Sequence, residues 1–239
     1  MKLQLNNKNL RFYSFTFILA LCIAVISIVT QDNAFGLSTG KQAVKKTAVL
    51  NNKSSVKTPT APDLPLKDIL KKNGISSVAN INIVVSKSSH TLSLYSNGKF
   101  LKSYHVELGS GGPANKSVVG DKKTPEGEFY ITEKTVYSPA DYYLGTRWME
   151  FNYPNIAAAQ RGLNSGIINK ETYNEIVNAI KNGTTPPQDT PLGGYIGIHG
   201  GSIQAFGKDW TWGCVGLENK DVEDFYSYIK IGTKLTINK

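Results

Sequence analysis

The chain is poor in the residues that carry most redox and metal chemistry: of 239 residues, two are cysteine, three histidine and two methionine. Cys22 lies in an apolar run near the start and Cys214 in a glycine-marked stretch near the end, so the two are read separately. Zinc needs three or four ligands, and neither an HxxxH nor a CxxC spacing occurs, so no metal and no cofactor is expected. No internal repeat is visible. A surplus of positive charge is present, +9 in all, but not where a fold is expected. Residues 37–80 hold 8 Lys against 2 Asp, whereas residues 81–239 hold 16 Lys and Arg against 15 Asp and Glu. A nearly neutral body with a basic tail argues against a nucleic-acid partner and for a solvated tether.

What is present begins with "FYSFTFILALCIAVISIV", an uncharged run of 18 residues from Phe12 to Val29, preceded by Lys2, Lys8 and Arg11. That is the pattern of an export signal, and its length also reaches the lower limit of a membrane anchor. Residues 1–36 are therefore expected to be a signal peptide or N-terminal anchor, with Ala34-Phe35-Gly36 as a cleavage site. The work would then be done outside the cytoplasm, in the cell envelope or periplasm. Any membrane contact would run through this segment alone. Residues 37–80 read as a basic flexible linker ending in a short helix, "LPLKDILKKNG".

From Ile81 the apolar period becomes two. "INIVVS" and "TLSLYSNGKFLKSYHVEL" alternate, with Asn97-Gly98 as a hairpin turn. "GEFYITEKTV", "GYIGIHG" and "TKLTIN" supply further strands. Helix is expected after Asn169, with Tyr173, Ile176, Val177 and Ile180 on one face and Gly183 as the stop, and again from Asn219 as a cap to Gly232. The fold expected for residues 81–239 is mainly β with a few appended α-helices.

The chemistry concentrates in "HGGSIQAFGKDWTWGCVGLEN", residues 199–219. A thiol needs a nearby base to act as a nucleophile at neutral pH. His199, at a strand end, is the candidate; His90 and His105, in the first hairpin, read as exposed or edge residues. Gly213 lets the backbone approach a substrate closely and suits an oxyanion hole, in which one N–H donor is typically worth ~3 kcal/mol of barrier. The bland alternative for Cys214 is a small buried hydrophobe. Papain-like enzymes are excluded by order, since their cysteine precedes the histidine. Tyr195, Trp210, Trp212 and the "TRWMEFNYP" run read as packing or as groove lining, and Lys122-Lys123 with Pro125-Glu126-Gly127 as an exposed turn.

This stretch resembles the signature of the L,D-transpeptidase (YkuD-like) catalytic domain, in the subgroup with a "DWT-x-GC" motif. The matching positions are His199, Thr211, Trp212, Gly213, Cys214 and Asn219. "INIVVSKSSHTLSLYSNGKF" and "GDKKTPEGEF" resemble the opening hairpin and the Gly-Asp-x-x-Thr-Pro segment of the same family, so the likeness covers residues 81–239. It implies a mixed β-sandwich and an enzyme acting on peptidoglycan stem peptides. Cys214 would form a thioester with a tetrapeptide stem and pass it to an amine, on a second stem or an acceptor protein. Hydrolysis on the same scaffold, by a carboxypeptidase or amidase, is the alternative, and a silent wall-binding module a third. By the same resemblance His199 is the base, the Gly200 carbonyl orients it, and the amides of Gly213 and Cys214 hold the oxyanion. Thr211 would fix the loop or contact substrate, beside Tyr195 and Trp212 as substrate-binding residues. Two departures stand out: Gly216 replaces an arginine common in the family, and residues 155–193 form a helical insert.

Overall fold

A computed structural model describes residues 64–75 and 81–239. The expected export segment, residues 1–36, and most of the expected linker lie outside the described residues. No described helix is long and apolar enough to cross a membrane.

Alternation builds the first strands. β1 (Ile81–Ser86) buries Ile81, Ile83 and Val85, and β2 (Thr91–Ser96) buries Leu92 and Leu94 on the same side. Asn97 and Gly98 both take positive φ, 49° and 77°, the backbone of a two-residue hairpin whose twist matches its strands. β3 (Lys99–His105) follows. β4 (Gly127–Asp141), β5 (Gly145–Phe151), β6 (Gly197–His199), β7 (Val215–Gly216) and β8 (Lys234–Asn238) complete eight strands in the order β3-β2-β1-β8-β4-β5-β6-β7. β8 runs parallel to β1 and β7 parallel to β6, so the sheet is mixed. β4 is 15 residues long and serves both halves: Gly127–Tyr130 pairs with β8, and residues from Ile131 onward pair with β5. The expectation of a mainly β fold with appended helices holds.

Among the described residues, five helices accompany the sheet. α1 (Leu66–Lys72) buries Leu66, Ile69 and Leu70 and is tied down at its start. The Leu66 N–H donates to both oxygens of Asp224, at 2.9 and 3.1 Å, and the same carboxylate accepts from Lys102 Nζ and Tyr104 OH. The short helix seen in the sequence is thus packed on the domain. α2 (Ile156–Asn164) and α3 (Lys170–Lys181) form the insert, each capped by an asparagine: Asn155 accepts from Ala158 N–H and Asn169 from Thr172 N–H. Such a cap contributes about 1 kcal/mol. α2 was not expected, because its "IAAAQRGLN" carries no continuous apolar stripe; it packs through Ala159 against Ile168, Ile176 and Leu192, a small core of the insert's own. Only Ile176 of the four residues expected on the buried face of α3 is fully buried.

α4 (Ile203–Phe206) is a single turn, and α5 (Asn219–Tyr226) packs Val222 and Phe225 into the main core. Here one expectation is corrected. Asn219 is the first residue of α5, not its cap; Glu218 takes that position. The Asn219 carbonyl oxygen is drawn away by β5, where it accepts from Thr146 N–H at 3.0 Å.

Candidate active site

The register of the central strands sets the site. β5 pairs with β6 so that Trp148 faces His199 and Glu150 faces Gly197. β6 pairs with β7 so that Ile198 faces Val215 and His199 faces Gly216. Stepping back one residue puts Cys214 beside Gly197, two positions from His199 on the same face, since side chains alternate across a strand. Fifteen residues of chain separate the histidine from the cysteine, but one strand spacing, about 4.8 Å, separates their backbones laterally.

His199 is fully buried. Its Nδ1 lies 2.6 Å from Gly200 O, and a carbonyl only accepts, so Nδ1 carries the proton and Nε2 keeps its lone pair. The rings of Tyr143, Trp148 and Trp210 surround the imidazole at centroid distances of 5.7, 5.9 and 5.3 Å. Taken out of water in this way, the imidazole is pushed down to about 4. Nε2 has no hydrogen-bond partner, Cys214 included.

Cys214 is 6 % exposed, and burial pushes its thiol up to about 11, against a smaller opposing effect of the Gly197 N–H. Its sulfur donates a long hydrogen bond, 3.8 Å, to Tyr195 O. The pair is therefore thiol and neutral imidazole. Burial disfavours both charged forms, so moving the proton from sulfur to nitrogen is uphill.

The turn before the cysteine is held from inside. Thr211 is fully buried, its hydroxyl donates to Cys214 O at 2.7 Å and accepts from Gly213 N–H at 3.2 Å. These bonds fix the loop, and Thr211 is not among the residues lining the cavity beside Cys214. The Gly213 N–H, expected in the oxyanion hole, is turned to Thr211 in the ligand-free state. Gly213 itself has no substitute: φ is 125°, and a Cβ there would come within 2.9 Å of Lys123 O. Gly200 is equally confined, since a Cβ would meet the Asn219 Oδ1. Asn219 thus packs against the glycine whose carbonyl orients His199.

A cavity of about 950 Å³ opens beside the sulfur, lined by Cys214, Tyr195, Trp212, Trp148, Glu150 and Tyr143 among others. Tyr195 and Trp212, expected at the substrate groove, do line it. Tyr195 is held with φ 54° by hydrogen bonds from its N–H to Gln188 and from its hydroxyl to Asp189. Gln188, Asp189, Thr190 and Gly193 come from the insert, whose second half forms one wall. Trp210 does not line the cavity; it packs beneath His199. Among the described residues no group of side chains has the arrangement of a metal site.

Several residues here escaped the sequence. Tyr143 stacks near His199 and its hydroxyl is pushed up to about 12 by burial and by the Cys214 sulfur. Thr124, from the segment read as an exposed turn, is buried; it accepts from Gly109 N–H and lies 3.5 Å from Cys214 O. Asp209 accepts from His90 and from Leu108 N–H, anchoring the loop before Thr211. His90, expected at an exposed edge, is thus a tether of that loop. Asp209 left a trace as the first letter of the "DWT-x-GC" motif, and Thr124 as the threonine of "GDKKTPEGEF".

Comparison with known proteins adds the family. No protein among those of curated function matches the chain by sequence. Among solved structures, Bd1075 of Bdellovibrio bacteriovorus is 21 % identical, with a TM-score of 0.46 over 67 % of this chain and 48 % of that one. The helical cell shape determining protein Pgp2 of Campylobacter jejuni is 19 % identical, with a TM-score of 0.44 over 72 % and 54 %. An L,D-transpeptidase of Xylanimonas cellulosilytica is 13 % identical, with a TM-score of 0.40 over 73 % and 70 %. The chain spans about half the length of the first two. The model of the L,D-transpeptidase catalytic domain (YkuD) matches residues 80–237, more than half of the chain, and with it the chain belongs to the L,D-transpeptidase catalytic domain family.

Proposed function

We propose that the protein is an exported cysteine acyltransferase acting on peptidoglycan stem peptides. One observation carries this reading: the Gly200 carbonyl fixes the Nδ1–H tautomer of His199, leaving Nε2 unpartnered on the sheet face that presents Cys214 to the cavity.

The chemistry follows from the two neutral groups. With a tetrapeptide stem seated, Cys214 Sγ attacks the carbonyl at the L-centre of the diamino acid as its proton passes to His199 Nε2. The C–N bond to the terminal D-alanine breaks, the imidazolium returns its proton to the leaving amine, and a thioester remains. An acceptor amine then gives up a proton to Nε2, attacks the thioester and releases the thiol. Because thiolate is disfavoured in the empty site, deprotonation and attack belong to one event. The oxyanion needs N–H donors, so the Gly213 N–H turns from Thr211 to the reacting carbonyl as the tetrahedral centre forms. The apolar cage and the insert wall keep water from the thioester.

The test is incubation of the chain with tetrapeptide muropeptides, products being followed by mass spectrometry. Cross-linked dimers are expected. Tripeptides alone would assign hydrolysis instead, and binding without turnover would leave a wall-binding module. Cys214→Ala should abolish every product; turnover that survives it overturns the mechanism.

A further inference from the structure

The sheet face that carries Cys214 also carries two carboxylates with no counter-ion. Glu133 and Glu150 are directly paired across β4 and β5, and Glu150 is in turn paired with Gly197, the neighbour of Cys214. One row across the sheet thus reads Glu133, Glu150, Gly197, Cys214. Both carboxylates line the cavity. Glu150 is 6 % exposed and its side chain has no hydrogen-bond or ion-pair partner among the described residues. Glu133 has only the Thr135 hydroxyl, at 3.3 Å.

Like charges directly opposite in an antiparallel pair repel, and a buried carboxylate without a partner is costly. A fold keeps such an arrangement where a cation arrives from outside. The cations that line the same cavity are engaged elsewhere: Lys116 bonds to Asp121 and to Val118 O, and Lys122 lies over the Trp212 ring. A metal is a poor match, since no third ligand stands beside the pair. The rings of Trp148 and Tyr137 line the same cavity as the two carboxylates and the sulfur, and the Trp148 ring packs over Gly197 in the row between Glu150 and Cys214. Aromatic faces beside carboxylates in one cavity suit an alkyl chain ending in a cation. Two strand spacings, about 10 Å, separate the Glu150 and Cys214 backbones, a span that an extended diamino acid side chain bridges when its carbonyl is at the sulfur.

We infer that Glu150, assisted by Glu133, forms an acidic subsite that binds the side-chain primary ammonium of the diamino acid in a stem peptide. The inference rests on the proposed function for the identity of the peptide. The donor stem is the one held, since an acceptor's side-chain amine must itself reach the thioester.

Binding is measured without turnover. The full chain carrying Cys214→Ala is titrated by calorimetry with two tetrapeptides that differ only in a free or an acetylated side-chain amine. The free amine is expected to bind at least about tenfold more tightly, as one charge-assisted contact provides. Glu150→Gln in the same background should remove that preference and leave the acetylated peptide within about twofold, while Glu133→Gln should reduce it. Equal affinities for the two peptides, or a preference that survives Glu150→Gln, overturn the subsite. If Glu150→Gln does not fold, Glu133→Gln alone must lower the preference, and its failure to do so counts against the subsite. With Cys214 intact, Glu150→Gln is expected to slow D-alanine release, and an effect on dimer formation alone overturns the donor subsite. A chain that shows the preference but never turns over a tetrapeptide sinks the proposed reaction and leaves the subsite. Turnover with no preference does the reverse.

Discussion

Trp210 fills the space that any side chain at residue 216 would need. A Cβ built on Gly216 lies 2.9 Å from the Trp210 indole and 3.0 Å from the Thr211 methyl, in a strand whose N–H and carbonyl both bond to Glu107 at 2.8 Å. The indole that cages His199 and the missing arginine are therefore two sides of one arrangement.

Gly216→Arg should accordingly fail to install an arginine at the site. The expected result is a loss of stability of about 1–3 kcal/mol, as for other overpacked core positions, with turnover falling as well. Denaturant unfolding of the variant checks it; a fully stable and more active Gly216→Arg would show that the indole can be displaced freely.

Thiol reactivity should report the neutral resting pair. With its thiol pushed up to about 11, Cys214 should react with iodoacetamide at pH 7.4 on the order of 100-fold more slowly than an exposed cysteine, the rate climbing continuously toward pH 11. His199→Ala should leave that profile nearly unchanged, because His199 gives the empty-site thiol no hydrogen bond. A plateau of fast alkylation at neutral pH would mean a preformed ion pair.

Thr211→Val keeps the shape of the buried side chain and removes the hydroxyl shared by Cys214 O and Gly213 N–H. Leaving those buried groups short of a partner should cost about 1–3 kcal/mol. Turnover of a tetrapeptide should drop mainly in kcat, with KM nearly unchanged, since the turn is misplaced and the cavity is not. A drop confined to KM would instead put the hydroxyl against the substrate.

Glu150→Gln should change the dependence of stability on pH. Burial and the neighbouring Glu133 push the Glu150 carboxyl from 4.5 up to about 7. Between those values the folded state holds the proton more tightly than the unfolded state, so stability is full below about pH 4.5 and falls as pH rises through 7. The glutamine variant should therefore melt near the parent at pH 4.5 and above it at pH 8, by roughly 2–3 kcal/mol of unfolding free energy. Parallel melting curves across that range would mean that the carboxylate has a partner after all.

Local patterns announced their own elements well. The alternation of "INIVVS" and "TLSLYS" with Asn97-Gly98 specified strands and turn, because burial on one sheet face and a left-handed two-residue loop are properties of adjacent residues. Asn169 likewise marked α3. α2 and β5 were missed for the opposite reason. The "IAAAQRGLN" of α2 is held by contacts with α3 and Leu192, and the "GTRWMEF" of β5 is buried on both faces, so neither shows a clean period. Asn219 was misplaced because a cap and a tie to Thr146 demand the same side chain.

The sequence by itself determined the candidate pair and its immediate setting, His199 at a strand end and Gly213 before Cys214, the orienting role of Gly200 being implied by the family resemblance. These are short-range matters of residue type and backbone freedom. Only the tertiary structure decided the state of that pair and what faces it. The cage of Tyr143, Trp148 and Trp210, the occupation of the arginine's space by an indole and the unpaired Glu133 and Glu150 all arise where four strands lay distant segments side by side. Desolvation and like-charge repulsion depend on those neighbours in space, which the order of residues along the chain does not display.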